Sequence, residues 1–380
     1  MEYKKINELT TVVTGGTPST RKNEYWDNGD IPWLQSGCCQ NCDVDSTEKY
    51  ITKEGYNNSS THMMSADTVM IALTGATAGK VGYLKFEACG NQSITGILPC
   101  ESLNQRYLFF YLLSQREKIL ADCVGGAQAH ISQSYVKNMT IPILAIKEQE
   151  QIVGELTKVS NIVSLRQEEI QQLDNLVKAR FVEMFGDCTN MISLSDLCLI
   201  ITDGTHQSPK FQHEGIPFIL VSNLSKNTVT YDTDKFISAE TYKELYKRTP
   251  IEIGDILLST VGSYGHPAVV VEDRKFLFQR HIAYLKPKSD ILNSYYMHGA
   301  LLSPGCQRQI EEKVKGIAQK TLNLSEIRKI RIPVPSLDLQ KQYADFVHQV
   351  NKSKFDTMTF APIYAIINLY LHTYFYQGRR

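Results

Sequence analysis

The stretch Leu73–Gly82, LTGATAGKVG, places a glycine, three small residues and then Gly-Lys together, the composition of a loop that cradles a phosphate. A nucleotide-binding loop of the Walker A kind needs four residues between its glycine and Gly-Lys, then Ser or Thr for magnesium. Here there are three, followed by Val81. CCQNC supplies Cys39-x-x-Cys42, half of a structural zinc site, with no second pair of Cys or His at suitable spacing to complete four ligands. EEK at Glu311 offers the Glu-x-Lys half of a nuclease signature without a Pro-Asp partner, and no amino-methyltransferase motif is present. The motifs therefore point away from a catalytic centre and from a bound metal, and leave open why a glycine loop and scattered polar residues recur.

They recur because the chain is written twice. TGGTPS at Thr14 has its echo in TDGTHQ at Thr202, GDIPWLQSG from Gly29 in EGIPFILVSN from Glu214, and DTVMIALTGATAG from Asp67 in GDILLSTVGSYG from Gly254. NQSITGILP from Asn91 matches FQRHIAYLKP from Phe278, pairing Gln92 with Gln279; GGAQAHISQSYVKNMTIPI from Gly125 matches GIAQKTLNLSEIRKIRIPV from Gly316, pairing Gln128 with Gln319; EQEQI at Glu148 matches LQKQY at Leu339. Each echo falls roughly 190 residues after its original, about half of the 380-residue chain. The second copy has His266 where Lys80 would fall, so a shared nucleotide site is not preserved, and no carboxylate pair recurs in both copies as a duplicated enzyme would need.

Each copy opens with short apolar runs such as TVMIAL, ITGILP, DILLST and AVVVE, punctuated by Gly, Asn, Asp and Pro, which read as strands joined by turns. Helical patterns follow in RYLFFYLLSQREKIL and SYYMHGALLSPGCQRQIEEKV. After Pro142 the period changes. Ile152, Leu156, Val159, Val163, Arg166, Ile170, Leu173, Val177, Arg180 and Met184 alternate four and three apart, a heptad seam with two arginines on it. One helix of about 35 residues, on the order of 50 Å long, is expected, and its partner is expected to start at QKQYADFVHQV with Tyr343, Phe346 or Val347, and Val350 on one face. Pro362 should then break the helix, and the residues beyond are expected to be foreign to the repeat, as a change of reading frame would leave them. A membrane span there is argued against by Pro362, Asn368 and His372.

These residues resemble the specificity subunits of type I restriction–modification systems over about residues 3–355. LDNLVKARFVEMFGD from Leu173, the GGTPS opening, the GATAGKVG loop, the GAQ…IP segment and the two-copy layout carry the resemblance. It implies an α+β chain with two tandem target-recognition domains of mixed α/β type, separated by long coiled-coil helices in a pseudo-two-fold repeat. The division expected is 1–146 for the first recognition domain, 147–186 for the central helix, 187–335 for the second domain, 336–356 for a shortened second helix and 357–380 for a divergent apolar tail. The resemblance further implies a non-catalytic subunit that reads a bipartite site on double-stranded DNA and docks two modification subunits and the restriction or translocase subunits. S-adenosylmethionine, ATP and magnesium would sit on those partners and none on this chain. An NTPase using Gly75–Lys80 and a coiled-coil assembly protein without a DNA role are the competing readings.

The expected helix contacts are Ile152, Leu156, Val159, Val163, Ile170, Leu173, Val177, Met184, Tyr343, Phe346 and Val350. Readout of bases calls for Arg or Lys toward guanine and Asn or Gln toward adenine. In copy one the candidates are Arg21, Lys22, Gln35, Lys80, Gln92, Gln128, His130 and Lys137. In copy two they are His206, Gln207, Lys210, Asn223, Gln279, Arg280, His281, Gln319 and Lys320. The net formal charge is zero, so any attraction to phosphate must be local; the densest basic stretch runs from Arg308 to Arg331. Nine cysteines and the lack of an apolar run after MEYKK suggest free thiols in the cytoplasm.

Overall fold

The computed structural model describes residues 2–122, 130–316 and 320–358, together with Ile367, Leu369 and Tyr370. Gln128, Gln319 and the remainder of the tail beyond Met358 lie outside the described residues. The chain divides into two units, Met1–Leu165 with Phe360–Arg380, and Arg166–Thr359.

In the first unit a five-stranded sheet runs in the order Val12–Thr14, Ile94–Ile97, Val69–Ala72, Val81–Leu84, Cys42–Val44. A three-stranded sheet orders Tyr50–Ile51, Ile31–Leu34, Cys89–Gly90, and Glu2–Lys5 pairs antiparallel with Thr140–Ile143. The second unit repeats the plan with one strand fewer. Its four-stranded sheet orders Cys198–Asp203, Ile282–Pro287, Ile256–Ser259, Pro267–Val269. Its three-stranded sheet orders Phe236–Ile237, Ile216–Ile219, Leu277–Phe278, and Met191–Ser193 pairs with Arg331–Pro333. Even the parallel pair inside each three-stranded sheet recurs, Leu34 opposite Gly90 and Ile219 opposite Phe278.

The sequence explains the layering. VMIA and ILLS are buried at every residue, as an unbroken apolar strand must be when both of its faces are covered. In the first unit one face packs on helix Gln105–Ser114, whose Tyr107, Leu108, Phe109 and Leu112 join Val69, Ile71, Val81 and Ile97 in one core. The Asn104 carboxamide caps that helix by accepting from the Arg106 and Tyr107 amides, and Asn293 caps helix Ser294–Leu302 in the same way through Tyr295 and Tyr296. Such caps hold otherwise unpaired N–H groups of the first turn. Each helical stretch forms two helices: Gln105–Ser114 and Arg116–Ala121 in the first unit, while in the second Ser303 and Pro304 end one helix and start Pro304–Lys313, because proline has no N–H to continue a helix but fits its first turn.

The long helix is Ile146–Phe185. Its seam is the covered side: Ile152 and Leu156 are fully buried and Val163 nearly so, Val159, Ile170, Leu173, Val177 and Met184 are half-buried, while Ile162, Leu165, Leu176 and Val182 off the seam are exposed. The seam arginines turn to neighbouring carboxylates, Arg166 to Glu169 and Arg180 to Glu183. Within the second unit the last turns lie antiparallel to the closing helix Leu337–Met358. Tyr343 donates to the Val177 carbonyl at 3.4 Å, Arg180 sits 5.9 Å from the Phe346 ring, and Lys354 meets Asp174 at 2.5 Å. Val347 and Val350 are buried with Tyr343, whereas Phe346 is only half-buried, so the four-residue step selects Val347 for the inner position. In the second unit the most enclosed residues of the long helix, Phe181 and Phe185, stand outside the heptad list. Both pack on Tyr343, at ring-centre distances of 5.4 and 5.8 Å.

Each long helix is also pinned to its own unit by a buried glutamine at its first turn. Gln149 accepts from the Asn104 amide and donates to the Leu144 carbonyl; Gln340 accepts from the Asn293 amide and donates to the Pro335 and Ile291 carbonyls. The tail, expected to be foreign to the repeat, contributes to the first unit: Ile367 is fully buried in the core that holds Ile152 and Leu156, and the Tyr370 hydroxyl reaches Glu155. Apolar residues at those positions of the tail are core residues.

A candidate nucleic-acid interface built twice

The feature that best places the candidate residues is a loop cluster in which the same five backbone hydrogen bonds recur in the two units. In the first unit Gly15 N–H donates to the Ile94 carbonyl (3.2 Å) and Gly16 N–H to Gly90 (2.8 Å). Asn91 N–H donates to Leu34 (2.9 Å), Leu73 N–H to Ser93 (2.8 Å) and Ile131 N–H to Leu73 (2.9 Å). In the second unit Gly204 donates to Ile282 (3.2 Å), Thr205 to Phe278 (3.0 Å), Gln279 to Ile219 (3.3 Å), Thr260 to His281 (3.0 Å) and Leu322 to Thr260 (2.8 Å). A bridge between Thr74 and His130 has its counterpart between Val261 and Thr321. Five separate segments of chain are thereby held at fixed spacing in each unit. A side chain carried on such a frame loses little further backbone entropy when it engages a partner.

This wiring corrects the pairing of letters. Gln92 and Gln279 are not equivalent. Asn91 and Gln279 make the same two backbone bonds, the second being acceptance from Ile94 and from Ile282 (both 3.1 Å). Gln92 therefore corresponds to Arg280, and Ser93 to His281. A one-residue offset is also seen at the glycine step, where Gly15 rather than Gly16 matches Gly204. A Cβ on Gly15 would lie 2.0 Å from the Gly90 carbonyl oxygen, and one on Gly204 would lie 2.3 Å from that of Phe278. Only glycine allows this close approach of two backbones.

The remaining candidates separate into groups. Gln92 and His130 are exposed in the first cluster, and Arg280 and Lys320 in the second, with His281 half-buried beside them. Gln35 and Gln92 border a cleft of about 760 Å³ that also contains Thr17, Trp26, Trp33 and Asn91. Arg280 and His281 border a smaller one of about 260 Å³ with Asp203, Thr321 and Asn323. His206 stands 2.9 Å from Asp203, which Arg248 also engages at 2.6 Å. Burial and the neighbouring Arg280 charge both lower the His281 pKa. Arg21, Gln207 and Lys210 are exposed. Lys22 is occupied within its own loop by the Tyr25 hydroxyl at 2.9 Å and by Glu24. Lys137 is half-buried on helix Gln133–Asn138.

Two expectations change. Asn223 is buried and its amide is fully engaged: its oxygen accepts from Leu220 N–H, and its nitrogen donates to the Thr230 hydroxyl and the Asp232 carbonyl. It shapes the turn it sits in, is buried, and has both amide N–H groups already donated within that turn. Lys80 donates to Gln40 at 2.6 Å. The glycine loop around it joins strands Val69–Ala72 and Val81–Leu84 as an antiparallel hairpin, with Gly75 and Gly79 in the left-handed region at φ 74° and 73°. A nucleotide loop instead delivers its phosphate to the N-terminus of a helix, so the NTPase reading fails. The counterpart loop has Gly262 and Gly265 at φ 72° and 81°. In the basic stretch, Arg328 and Arg331 donate to the Ile201 and Met191 carbonyls, and Lys329 pairs with Glu326. Much of that run therefore holds the fold together.

Sequence reasoning overlooked Thr17, Asn91 and Thr321. Thr17 donates to the Gln92 side-chain oxygen at 2.5 Å, and the echo of TGGT in TDGT was the available signal.

Comparison with known proteins bears on the same two halves. The family described as type I restriction modification DNA specificity domain matches residues 1–175 and again 189–362. The specificity subunit of the type I restriction enzyme EcoR124I/EcoR124II of Escherichia coli is 32% identical over 169 residues, 43% of this chain and 42% of that protein. The MjaIX specificity subunit of Methanocaldococcus jannaschii is 23% identical over 375 residues, 91% of this chain and 85% of that protein. A solved S subunit of a type I restriction–modification system from M. genitalium covers 98% of this chain and 94% of its own at 16% identity, with a TM-score of 0.48. With its pattern matched once in each copy of the repeat, the chain belongs to the type I restriction modification DNA specificity family.

Proposed function

We propose that this chain is the sequence-reading subunit of a type I restriction–modification complex, and that each unit reads one half of a bipartite site on double-stranded DNA. The observation that carries this reading is the twice-built loop cluster: one backbone frame, two different sets of polar side chains. Gln92 stands where Arg280 does, Ser93 where His281 does and His130 where Thr321 does. A protein that binds one symmetrical ligand twice has no use for such divergence on a common frame, whereas a reader of two unlike half-sites requires it, since sequence is read from base edges and the backbone contacts only position the protein.

The long helix and its partner serve in this reading to separate the half-sites and to dock two modification subunits, with restriction or translocase subunits joining them. S-adenosylmethionine, ATP and magnesium belong to those partners, which carry the chemistry. The complex acts in the cytoplasm, where the DNA is; no helix among the described residues is long and apolar enough to cross a membrane.

Methylation mapping of a host with and without the gene tests the proposal. A methylated adenine motif of two blocks around an unread spacer should vanish on deletion and return on complementation. An unchanged methylation pattern contradicts it.

A further inference from the structure

The position shared by Gln92 and Arg280 has the properties of a base reader. In both units it follows a residue anchored through both its amide and its carbonyl, Asn91 or Gln279, and precedes one whose carbonyl is held by the glycine hairpin, Ser93 or His281. The backbone is therefore fixed on both sides while the side chain itself is exposed. Each side chain is also steadied at one end. Thr17 donates to the Gln92 oxygen at 2.5 Å, and no described residue accepts from the two amide N–H groups. Arg280 uses Nε toward the His281 ring nitrogen at 3.3 Å, so the outer fork of the guanidinium remains. The two residue types are those that match adenine and guanine in a two-point fashion at the major-groove edge.

We infer that this one position reads a base pair in each half-site, adenine through Gln92 and guanine through Arg280. The inference rests on the proposed DNA-reading function and adds to it the residue and the base.

The test exchanges the two letters separately, Gln92→Arg and Arg280→Gln, in the full chain expressed with its partner subunits, and maps the methylated motif. Each variant should keep the spacer and the other half-site and alter one base pair, Gln92→Arg from adenine toward guanine and Arg280→Gln from guanine toward adenine. The preference for the original base should drop by about tenfold to a hundredfold. Both positions are exposed, and an unchanged melting temperature confirms that each variant folds. If both variants methylate the parental motif unchanged, the inference is overturned while the bipartite reader stands. If Arg280→Gln weakens binding equally on all sequences and lowers the salt slope by about one, Arg280 is a phosphate contact and the inference is again overturned. If the parental complex shows no bipartite motif, the reading beneath it falls first.

Discussion

Replacing Tyr343 by alanine is expected to remove about 3–5 kcal/mol from the second unit. Tyr343 is fully buried, and its ring meets Phe181, Phe185 and Tyr296 at 5.4, 5.8 and 6.2 Å. Its hydroxyl reaches the Val177 carbonyl, which ties the closing helix to the long one. Gly299 faces the ring so closely that a Cβ there would lie 2.4 Å from the hydroxyl oxygen, so no larger neighbour is available to refill the hole. A loss of that size is a large part of the ~5–15 kcal/mol that holds a typical domain folded. Denaturant unfolding of the purified chain reads it, with Leu165→Ala as the control. Leu165 is 63% exposed, and its truncation should stay within about 0.5 kcal/mol of the parent. A Tyr343→Ala cost below about 1 kcal/mol would mean that the aromatic cluster does not hold the helices together.

Gly204→Ala is expected to disable one half of the reader and spare the other. The added Cβ would meet the Phe278 and Gln279 carbonyl oxygens at 2.3 and 2.5 Å. Both are backbone atoms, so the strands carrying them must part. That breaks the bonds from Gly204 to Ile282 and from Thr205 to Phe278 on which the loop cluster depends. Overpacking of this kind costs typically ~1–3 kcal/mol and more where nothing can yield. Since it falls on the frame of the second cluster, discrimination at the second half-site should be lost while that at the first persists. Gly15→Ala should do the reverse, its Cβ meeting the Gly90 oxygen at 2.0 Å. Gly305→Ala, where nothing lies within 4 Å, is the control and should leave both half-sites intact. Binding of the assembled complex to duplexes scrambled in one half-site or the other separates these outcomes. Equal loss at both half-sites from Gly204→Ala would contradict the independence of the two units.

What the sequence revealed follows from where its signals are redundant. The duplication was legible because many segments echo in one order, and strand order and the parallel pairing follow it down to Leu34–Gly90 and Ile219–Phe278. The heptad seam was legible because a helix must hide one face, and the covered residues are those at the four-three step. Phe181 and Phe185 escaped because they sit where the long helix leaves its heptad register and enters the core of the second unit. Candidate site residues were harder, since an exposed polar letter and a turn-forming one look alike. Asn223 is the plain case: its role lies in three local hydrogen bonds, to Leu220, Thr230 and Asp232, which the residue type alone does not announce. The Gln92–Gln279 match misled because identical letters outweighed a one-residue step that only backbone bonding exposes.

The central claim is that two unlike half-sites are read by one chain. Selection of duplexes from a random pool by the assembled complex tests it most directly. The account predicts two enriched blocks of different sequence, separated by an unread spacer of constant length, with the Gly204→Ala chain enriching only the first. A single continuous block, or no enriched sequence at all, would contradict it.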